Sequence, residues 1–245
     1  MALATRETHT VRINEVDQNQ NMTLSGLLQL MQETAWNNAE HLGASVYELQ
    51  RHGISWVMAR IKLDIFSYPR HRQQIQVETW PAGSQRSFVY RDYRVYDLEE
   101  HLMAQATSTW LVFDIHARKM TNIADFLLEK IVPPPKRIPL ERASGRLKLP
   151  DQDTGGVDIS IRWHDLDPNG HVNNGQYLQW VIEALPNQLN SEQLVRTIDL
   201  QIRTECGAGE QILSVAQPTD PSTFIHGLWR QSDNKLIAQA KTIWT

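Results

Sequence analysis

The stretch HDLDPNGHVNNGQYLQWVIEALP, residues 164–186, decides the fold because it joins a polar turn to an apolar-periodic segment. Two aspartates, two histidines and three asparagines are concentrated in its first half. The apolar spacing that follows is typical of a helix, which we predict from about Asn173 to Leu185, with an asparagine cap and an end at Pro186.

Alternating apolar and polar residues predict strands on both sides of this helix. Before it, VDISIRW (157–163) alternates with a period of two, which predicts a half-buried strand with Trp163 on its apolar face. After it come RTIDLQIR, EQILSVAQ, STFIHGLWRQ and KLIAQAKTIWT. Because no crossover helix separates these segments, they favour an antiparallel sheet.

The chain also contains an internal repeat. A shift of 150 positions places Asp17 on Asp167 and Asn19 on Asn169, and the apolar helix positions agree. Near the ends of the halves, LMAQATSTW (102–110) matches LIAQAKTIW (236–244) with a shift of 134. The difference predicts about 16 extra residues in the middle of the first half. We therefore predict an α+β fold in which an antiparallel sheet wraps around a long helix, twice.

A proline-rich basic stretch marks the boundary between the halves, since consecutive prolines continue neither a helix nor a central strand. It predicts an N-terminal domain at 1–132, a linker at 133–150 and a C-terminal domain at 151–245. The linker carries five basic residues against one acid, Glu141. Such a stretch is typical of a solvated linker, and an alternative is that it docks an acidic partner.

Composition excludes several classes of protein. A net charge of −4 gives no basic field for nucleic acid, and no apolar run approaches the length of a membrane span. The start MALATRETHT lacks the apolar core of a signal peptide, so we expect a cytoplasmic protein. Cys206 is the single cysteine, and the histidines lack ligand spacing, so we expect neither a metal nor a cofactor.

Asp167, Asn169 and His171 are the candidate catalytic group. In extended backbone, residues two apart project from one face, so an acid, an amide and an imidazole stand together in front of a helix. The helix N-terminus adds N–H groups that stabilise an oxyanion. The first half has Asn21 in place of the imidazole, so we expect one active centre, in the second half. The alternative is that these residues serve only the turn.

Glu205 and Cys206 form a second candidate pair. Strict strand alternation puts them on opposite faces, unless Gly207 and Gly209 bend the chain. A lone buried cysteine is more often a small core residue than a nucleophile.

Four motifs together resemble the acyl-acyl carrier protein thioesterases of bacteria and plant plastids. They are DLDPNGHVNNGQYLQWVIEALP, TECGAGEQI, VETWPAGSQRSFVYRDYRV and TSTWLVFDIHARKM. The resemblance implies two tandem hot dog domains and hydrolysis of the thioester of fatty acyl-acyl carrier protein to release free fatty acid. It also implies that Asp167, Asn169, His171 and Glu205 are catalytic, with Cys206 at a position once assigned as a nucleophile.

Two mechanisms follow for such a reaction. In the first, Asp167 attacks the carbonyl or directs water to it, Asn169 and His171 orient that carboxylate, and Glu205 is the base. In the second, His171 deprotonates Cys206, which attacks. We prefer the first, because a neutral thiol is a poor nucleophile.

The resemblance further implies an acyl-chain pocket in the first half and an acyl carrier protein as partner. Met31, Trp56 and Met58 are candidate lining residues, with ordinary core positions as the alternative. The absence of a plastid transit peptide indicates a bacterial-type cytoplasmic enzyme, as a monomer or homodimer. The alternative functions are an acyl-CoA thioesterase or a hydratase of the same fold, and a non-catalytic acyl-carrier binding protein.

Overall fold

The structure is a computed structural model that describes residues 3–135, 137–167, 170–186 and 193–245. The chain divides into two compact units, Met1–Ala143 and Ser144–Thr245. The border between the units falls inside the predicted linker at 133–150.

The first unit is an antiparallel sheet packed against one long helix. Its elements are β1 (Thr5–Thr10), α1 (Leu24–His41), α2 (Val46–Arg51), β2 (Ile54–Ile65), β3 (Gln74–Gln85), β4 (Phe88–Asp97), β5 (Leu102–Asp114), β6 (Lys119–Met120) and α3 (Asp125–Leu128). The strands described in this unit pair in the order β1-β3-β4-β5-β2, and β6 pairs with β5. Helix α1 packs on β1 and β3 through a buried face that includes Leu27, Leu28 and Met31.

The second unit repeats this plan with fewer residues. Its elements are β7 (Val157–Ser160), α4 (Asn174–Glu183), β8 (Val195–Ile202), β9 (Gln211–Asp220), β10 (Thr223–Arg230) and β11 (Lys235–Trp244). The strands described here pair in the order β7-β9-β10-β11-β8, all antiparallel. Helix α4 packs on β9 and β10.

The two strand orders correspond one to one, which confirms the predicted α+β fold of two tandem hot dog domains. Helix α1 has 18 residues and is followed by α2, whereas α4 has 10, so the first unit is extended where the repeat predicted extra residues. Among the described residues, no helix is both long enough and apolar enough to cross a membrane.

A buried polar motif links β10 and β11 in the second unit. The His226 ring nitrogen Nε2 lies 2.8 Å from Thr242 Oγ1, which also accepts a hydrogen bond from Trp244 Nε1 at 2.8 Å. Burial lowers the pKa of His226 to about 3, so the ring is neutral throughout the physiological range.

The first unit carries the same motif with different side chains. Trp110 Nε1 donates to Ser108 Oγ at 2.7 Å, and Tyr93 hydrogen-bonds to the same hydroxyl. The repeat therefore extends to hydrogen bonds inside the core.

The strand predicted at 157–163 is wrong at its end. Strand β7 ends at Ser160, and Trp163 opens a 3₁₀ turn with its side chain 77% exposed. The Asp165 carboxylate closes that turn by accepting the Arg162 N–H at 2.7 Å, which directs the chain away from the sheet. Ile13 is likewise exposed in the first unit, so the same bend occurs twice.

The basic linker is not simply solvated, because two of its arginines pack on the first unit. The Arg142 guanidinium lies 3.6 Å from the centre of the Tyr90 ring and donates to the Ala82 carbonyl at 2.7 Å. Arg137 pairs with Glu78 and stacks 5.4 Å from the Trp80 ring. Aromatic faces attract guanidinium groups, which explains why these residues leave the solvent.

Loss of stability in acid is the expected consequence of burying His226. The unfolded chain binds a proton on this histidine near pH 6.5, whereas the folded chain does so only near pH 3. Between those values the protonation of this residue in the unfolded chain therefore lowers the free energy of unfolding by roughly 1 kcal/mol for each pH unit as the pH falls. The measurement is urea unfolding at several pH values. The variant His226→Gln, which cannot be protonated, should show a shallower acid slope, and an unchanged slope would contradict the assignment.

Candidate active site

Two hydrogen bonds join the candidate acid Asp167 to the candidate imidazole residue His171 and close a turn between them. The Asp167 N–H donates to the His171 carbonyl at 2.7 Å, and the His171 N–H donates back to Asp167 Oδ1 at 3.1 Å. Gly170 has a φ of +79°, a backbone conformation that glycine adopts more readily than residues with a side chain. The turn therefore fixes one oxygen of the Asp167 carboxylate. The predicted site residue Asn169 lies outside the described residues.

This turn leads directly into helix α4. The Asn173 N–H donates to the Asp165 carbonyl at 2.8 Å, and the Asn173 side chain caps the helix by accepting the Gly175 N–H at 2.9 Å. An asparagine cap of this kind satisfies one of the N–H groups left over at a helix start. The sequence prediction of an asparagine-capped helix is confirmed.

The structure brings His171 and Glu205 together, although they lie on different segments of the second unit. His171 Nε2 is 3.4 Å from Glu205 Oε2, with the two side chains 46% and 33% exposed. A hydrogen bond from the Val172 N–H to the Cys206 carbonyl at 3.3 Å joins the two segments next to this pair. An imidazole and a carboxylate at this distance, open to water, are suited to general acid–base chemistry.

Cys206 has a different environment from its neighbour Glu205. Its residue is only 3% exposed, and its side chain hydrogen-bonds with Tyr177 and Glu210. Burial, together with the negative charge of Glu210, raises the pKa of the Cys206 thiol to about 12. A thiol with this pKa stays protonated at neutral pH, which is unsuited to a nucleophile. The mechanism in which Cys206 attacks is therefore disfavoured.

The first unit contains the same turn without the imidazole. The Asp17 N–H donates to the Asn21 carbonyl at 2.8 Å, and the Asn21 N–H donates to Asp17 Oδ1 at 2.9 Å. Asp17 Oδ1 also accepts the Asn19 N–H at 2.8 Å. The aspartate is thus a turn residue in both units, and the chemistry of the second unit depends on what surrounds it.

The backbone hydrogen bonds also identify the counterpart of Glu205. In the second unit, Arg203 N–H and Thr204 N–H both donate to the Ile237 carbonyl, at 2.8 and 3.3 Å. In the first unit, the N–H groups of residues 66 and 67 donate to a single carbonyl, that of Met103, in the same way. Tyr68 therefore stands where Glu205 does, so the first unit has neither member of the imidazole–carboxylate pair at these positions.

The three predicted acyl-pocket residues are all in the first unit. Met31 is fully buried in α1 and Met58 is 3% exposed in β2. Trp56 packs beside Leu49 and Val112, and its indole N–H donates to the Ala44 carbonyl at 3.0 Å. Their role as lining residues stays a prediction.

Sequence reasoning missed the residues packed behind the pair, which are Tyr177, Glu210 and Arg230. Glu210 accepts a hydrogen bond from Arg230 Nη1 at 3.1 Å, and Tyr177 hydrogen-bonds with Cys206. Glu210 corresponds to Gln73 through the matching backbone hydrogen bonds of the two units, and neither of the two sequence shifts aligns these residues.

One group of possible metal ligands occurs among the described residues, and it lies far along the chain from the candidate pair. Asp97, Glu99 and His101 have ligand atoms within 4.8 Å of one another at the turn between β4 and β5. The Asp97 carboxylate already accepts the His101 N–H at 2.9 Å and contacts its ring nitrogen. The expectation of a metal-free protein stays a prediction.

The chain has two hot dog units, and the second carries a contact between an imidazole and a carboxylate near the start of its helix. These features place it in the class of tandem hot dog proteins. The chain belongs to the acyl-ACP thioesterase family. The model of the family's N-terminal domain matches residues 2–131, and that of its C-terminal domain matches residues 150–245.

Curated relatives are about a quarter identical to this chain over the aligned residues. An acyl-[acyl-carrier-protein] hydrolase of Cuphea viscosissima is 28% identical over 260 residues, which cover 99% of this chain and 63% of that protein. Oleoyl-acyl carrier protein thioesterase 1 of Arabidopsis thaliana is 26% identical, with coverages of 99% and 76%. Both relatives are described as chloroplastic. The chain thus spans less than two thirds of the first relative.

Solved structures agree on the fold. An acyl-ACP thioesterase from Bacteroides thetaiotaomicron superposes with a TM-score of 0.89 at 20% identity, covering 99% of this chain and 98% of its own. The 12:0-ACP thioesterase from Umbellularia californica gives a TM-score of 0.89 at 22% identity, with coverages of 100% and 98%. At these identities the likeness supports the fold alone.

Slow alkylation of Cys206 is expected from its environment. At pH 8 a thiol with a pKa of about 12 holds roughly a thousandfold less thiolate than a free cysteine. Iodoacetamide labelling followed by mass spectrometry should be at least 100-fold slower in the folded protein than in urea. The folded-state rate should still increase above pH 10. A rate equal to that of the unfolded chain would contradict this account of the thiol.

Proposed function

We propose that this protein hydrolyses the thioester of fatty acyl-acyl carrier protein, releasing free fatty acid and ending chain elongation. The observation that carries the proposal is the contact between His171 Nε2 and Glu205 Oε2 at 3.4 Å, beside the turn that precedes α4. Membership of the acyl-ACP thioesterase family supports it. In this reaction water adds its oxygen to the acyl carbon, the carbon–sulfur bond breaks, and the sulfur leaves as the thiol of the carrier.

His171 and Glu205 are proposed to move the proton, with His171 as the base. This differs from the mechanism preferred from the sequence, in which Glu205 was the base and His171 oriented Asp167, because the His171 ring lies 3.4 Å from the Glu205 carboxylate. The carboxylate orients the imidazole and stabilises its protonated form, so the ring accepts a proton from water as the water attacks. The same proton then passes to the departing sulfur. The partial exposure of both side chains is consistent with access for water.

Asp167 is proposed to direct the water rather than to attack the carbonyl itself. Its Oδ1 accepts the His171 N–H at 3.1 Å, and a hydrogen bond of this kind stabilises the carboxylate anion and weakens it as a nucleophile. Asn169 retains its predicted role of orienting this group. The first turn of α4 is proposed to stabilise the oxyanion through its N–H groups and dipole.

Cys206 has no part in the proposed reaction. Its thiol is buried and its pKa is raised to about 12, so a thiolate would cost too much free energy at neutral pH. Its carbonyl still has a structural role, because it accepts the Val172 N–H.

The acyl chain is proposed to bind in the first unit near Met31, Trp56 and Met58, which are apolar and mostly buried. We also propose a cytoplasmic location. The free thiol of Cys206 is compatible with it, because the cytoplasm keeps thiols reduced. Fractionation with cytoplasmic and membrane markers tests the location.

Loss of turnover in site variants tests the proposed reaction. Release of thiol from long-chain acyl-acyl carrier protein should fall by about 10² to 10⁴ in His171→Ala and in Asp167→Asn, because each removes a group that acts on water. Glu205→Gln should lose turnover as well, since a neutral amide does not stabilise the protonated ring. Cys206→Ala should stay within about threefold of the wild type.

The matched control is Asn21→Ala, which changes the corresponding position of the first unit. It should keep full turnover, and circular dichroism should show that all variants are folded. Wild-type turnover in both His171→Ala and Asp167→Asn would contradict the proposed site. Faster hydrolysis of the coenzyme A ester than of the carrier ester would favour the alternative acyl-CoA thioesterase, and no hydrolysis of either would favour a binding protein.

Docking of the acidic carrier is proposed to use exposed basic residues near the start of the second unit. Arg146 and Lys148 are exposed, whereas Arg137 and Arg142 are occupied by contacts inside the first unit. Charge reversal in Arg146→Glu with Lys148→Glu should weaken carrier binding about tenfold at low salt, with a smaller effect at high salt. Isothermal titration calorimetry with the carrier measures the affinity. An affinity that changes neither with the double substitution nor with salt concentration would refute docking at this surface.

A further inference from the structure

Glu210 closes the turn that follows Glu205. Its Oε2 accepts the Gly207 N–H at 3.1 Å, and its own N–H donates to the Gly207 carbonyl at 3.4 Å. The next contact along the segment is the hydrogen bond from the Gly209 N–H to the Ile161 carbonyl at 3.0 Å. Glu205 lies two residues before Gly207, and the Glu210 side chain also hydrogen-bonds with the side chain of Cys206, the residue next to Glu205.

Arg230 holds Glu210 in turn. Arg230 Nη1 donates to Glu210 Oε1 at 3.1 Å, while its Nε and Nη2 donate to the two oxygens of Asp233 at 3.0 and 2.8 Å. This two-pronged contact with Asp233 raises the pKa of Arg230 and fixes the plane of its guanidinium at the end of β10. With its side chain 17% exposed, Arg230 is a fixed anchor rather than a mobile surface group.

The first unit shows what the turn itself requires. There Gln73 occupies the position of Glu210, and its Oε1 accepts the Arg70 N–H at 3.0 Å while its N–H donates to the Arg70 carbonyl at 2.9 Å. A neutral amide oxygen therefore closes the same turn. In the second unit the acceptor is a carboxylate tied to an arginine, and the turn directly follows the segment with the glutamate that faces the imidazole.

We propose that Glu210, anchored by Arg230, is a positioning residue that holds Glu205 against His171. The inference rests on the proposed hydrolysis and adds residues that act through Glu205 rather than on the substrate. The separation of 3.4 Å between His171 Nε2 and Glu205 Oε2 leaves little room for displacement, and misplacing a catalytic group by about 1 Å costs up to 10²-fold in rate.

Two substitutions at Glu210 distinguish the loss of the hydrogen-bond acceptor that closes the turn from the loss of the negative charge of Glu210. Glu210→Gln supplies the same acceptor oxygen as Gln73 and should keep kcat within about threefold. Glu210→Leu removes the acceptor and should lower kcat by about 30- to 100-fold with KM changed less than threefold, because the substrate contacts remain.

The matched control is Gln73→Leu, which opens the equivalent turn of the first unit. It should lower the melting temperature as Glu210→Leu does but leave kcat unchanged, since its turn carries no catalytic group. Should Glu210→Leu fail to fold, Arg230→Met provides the second test. It leaves the Glu210 carboxylate without its cation, which a neutral glutamine at position 210 would not need, and a tenfold loss of kcat is expected.

Crystal structures of the variants give a readout that does not need activity. Glu210→Leu should show Glu205 displaced from His171 by more than 1 Å, and Glu210→Gln should keep the wild-type separation. An unchanged separation and unchanged kcat in Glu210→Leu or Arg230→Met would overturn the proposal. A wild-type protein without hydrolytic activity would refute the proposed function instead, and the crystallographic comparison would still decide the positioning role.

Discussion

The hydrogen bond from a backbone N–H to an aspartate carboxylate four residues earlier organises the candidate site. It closes the turn at Asp167 and, in the first unit, the turn at Asp17. Each turn sets the entry of the chain into a helix that packs on the sheet. In each unit the residue after the turn also donates a backbone hydrogen bond to a neighbouring segment, to the carbonyl of Cys206 or of Pro69. This closure and the hydrogen bond from the Val172 N–H to the Cys206 carbonyl together place His171 beside Glu205.

The repeated unit separates what the fold requires from what the chemistry requires. The aspartate occurs in both turns, so its presence alone does not mark an active centre. The imidazole and its carboxylate partner are present in the second unit, where the first has Asn21 and Tyr68. A duplicated scaffold thus allows one unit to retain the turn while its polar positions change.

Much of the fold followed from the sequence, because period-two strands, an asparagine-capped helix and an internal repeat are local patterns. The errors arose where tertiary contacts override such patterns. Trp163 continues the strand alternation but is turned outward by the Asp165 cap, and Arg137 and Arg142 leave the solvent for aromatic rings on distant strands. The sequence indicated Asp167, His171 and Glu205 as candidates.

The distance between His171 and Glu205 required the structure, as did the burial of Cys206. Glu210 and Arg230 were missed for the same reason, because their importance lies in a hydrogen bond between segments that are far apart in sequence. No periodicity or motif in a single chain records such a contact.

The central claim is that only the second of the two matching turns acts on a thioester. The most direct measurement is a crystal structure with an acyl carrier protein whose acyl chain is joined through a non-hydrolysable amide in place of the thioester. The account predicts the acyl carbonyl beside His171, with its oxygen toward the first turn of α4. A carbonyl bound beside Asn21 in the first unit, or remote from both turns, would contradict it.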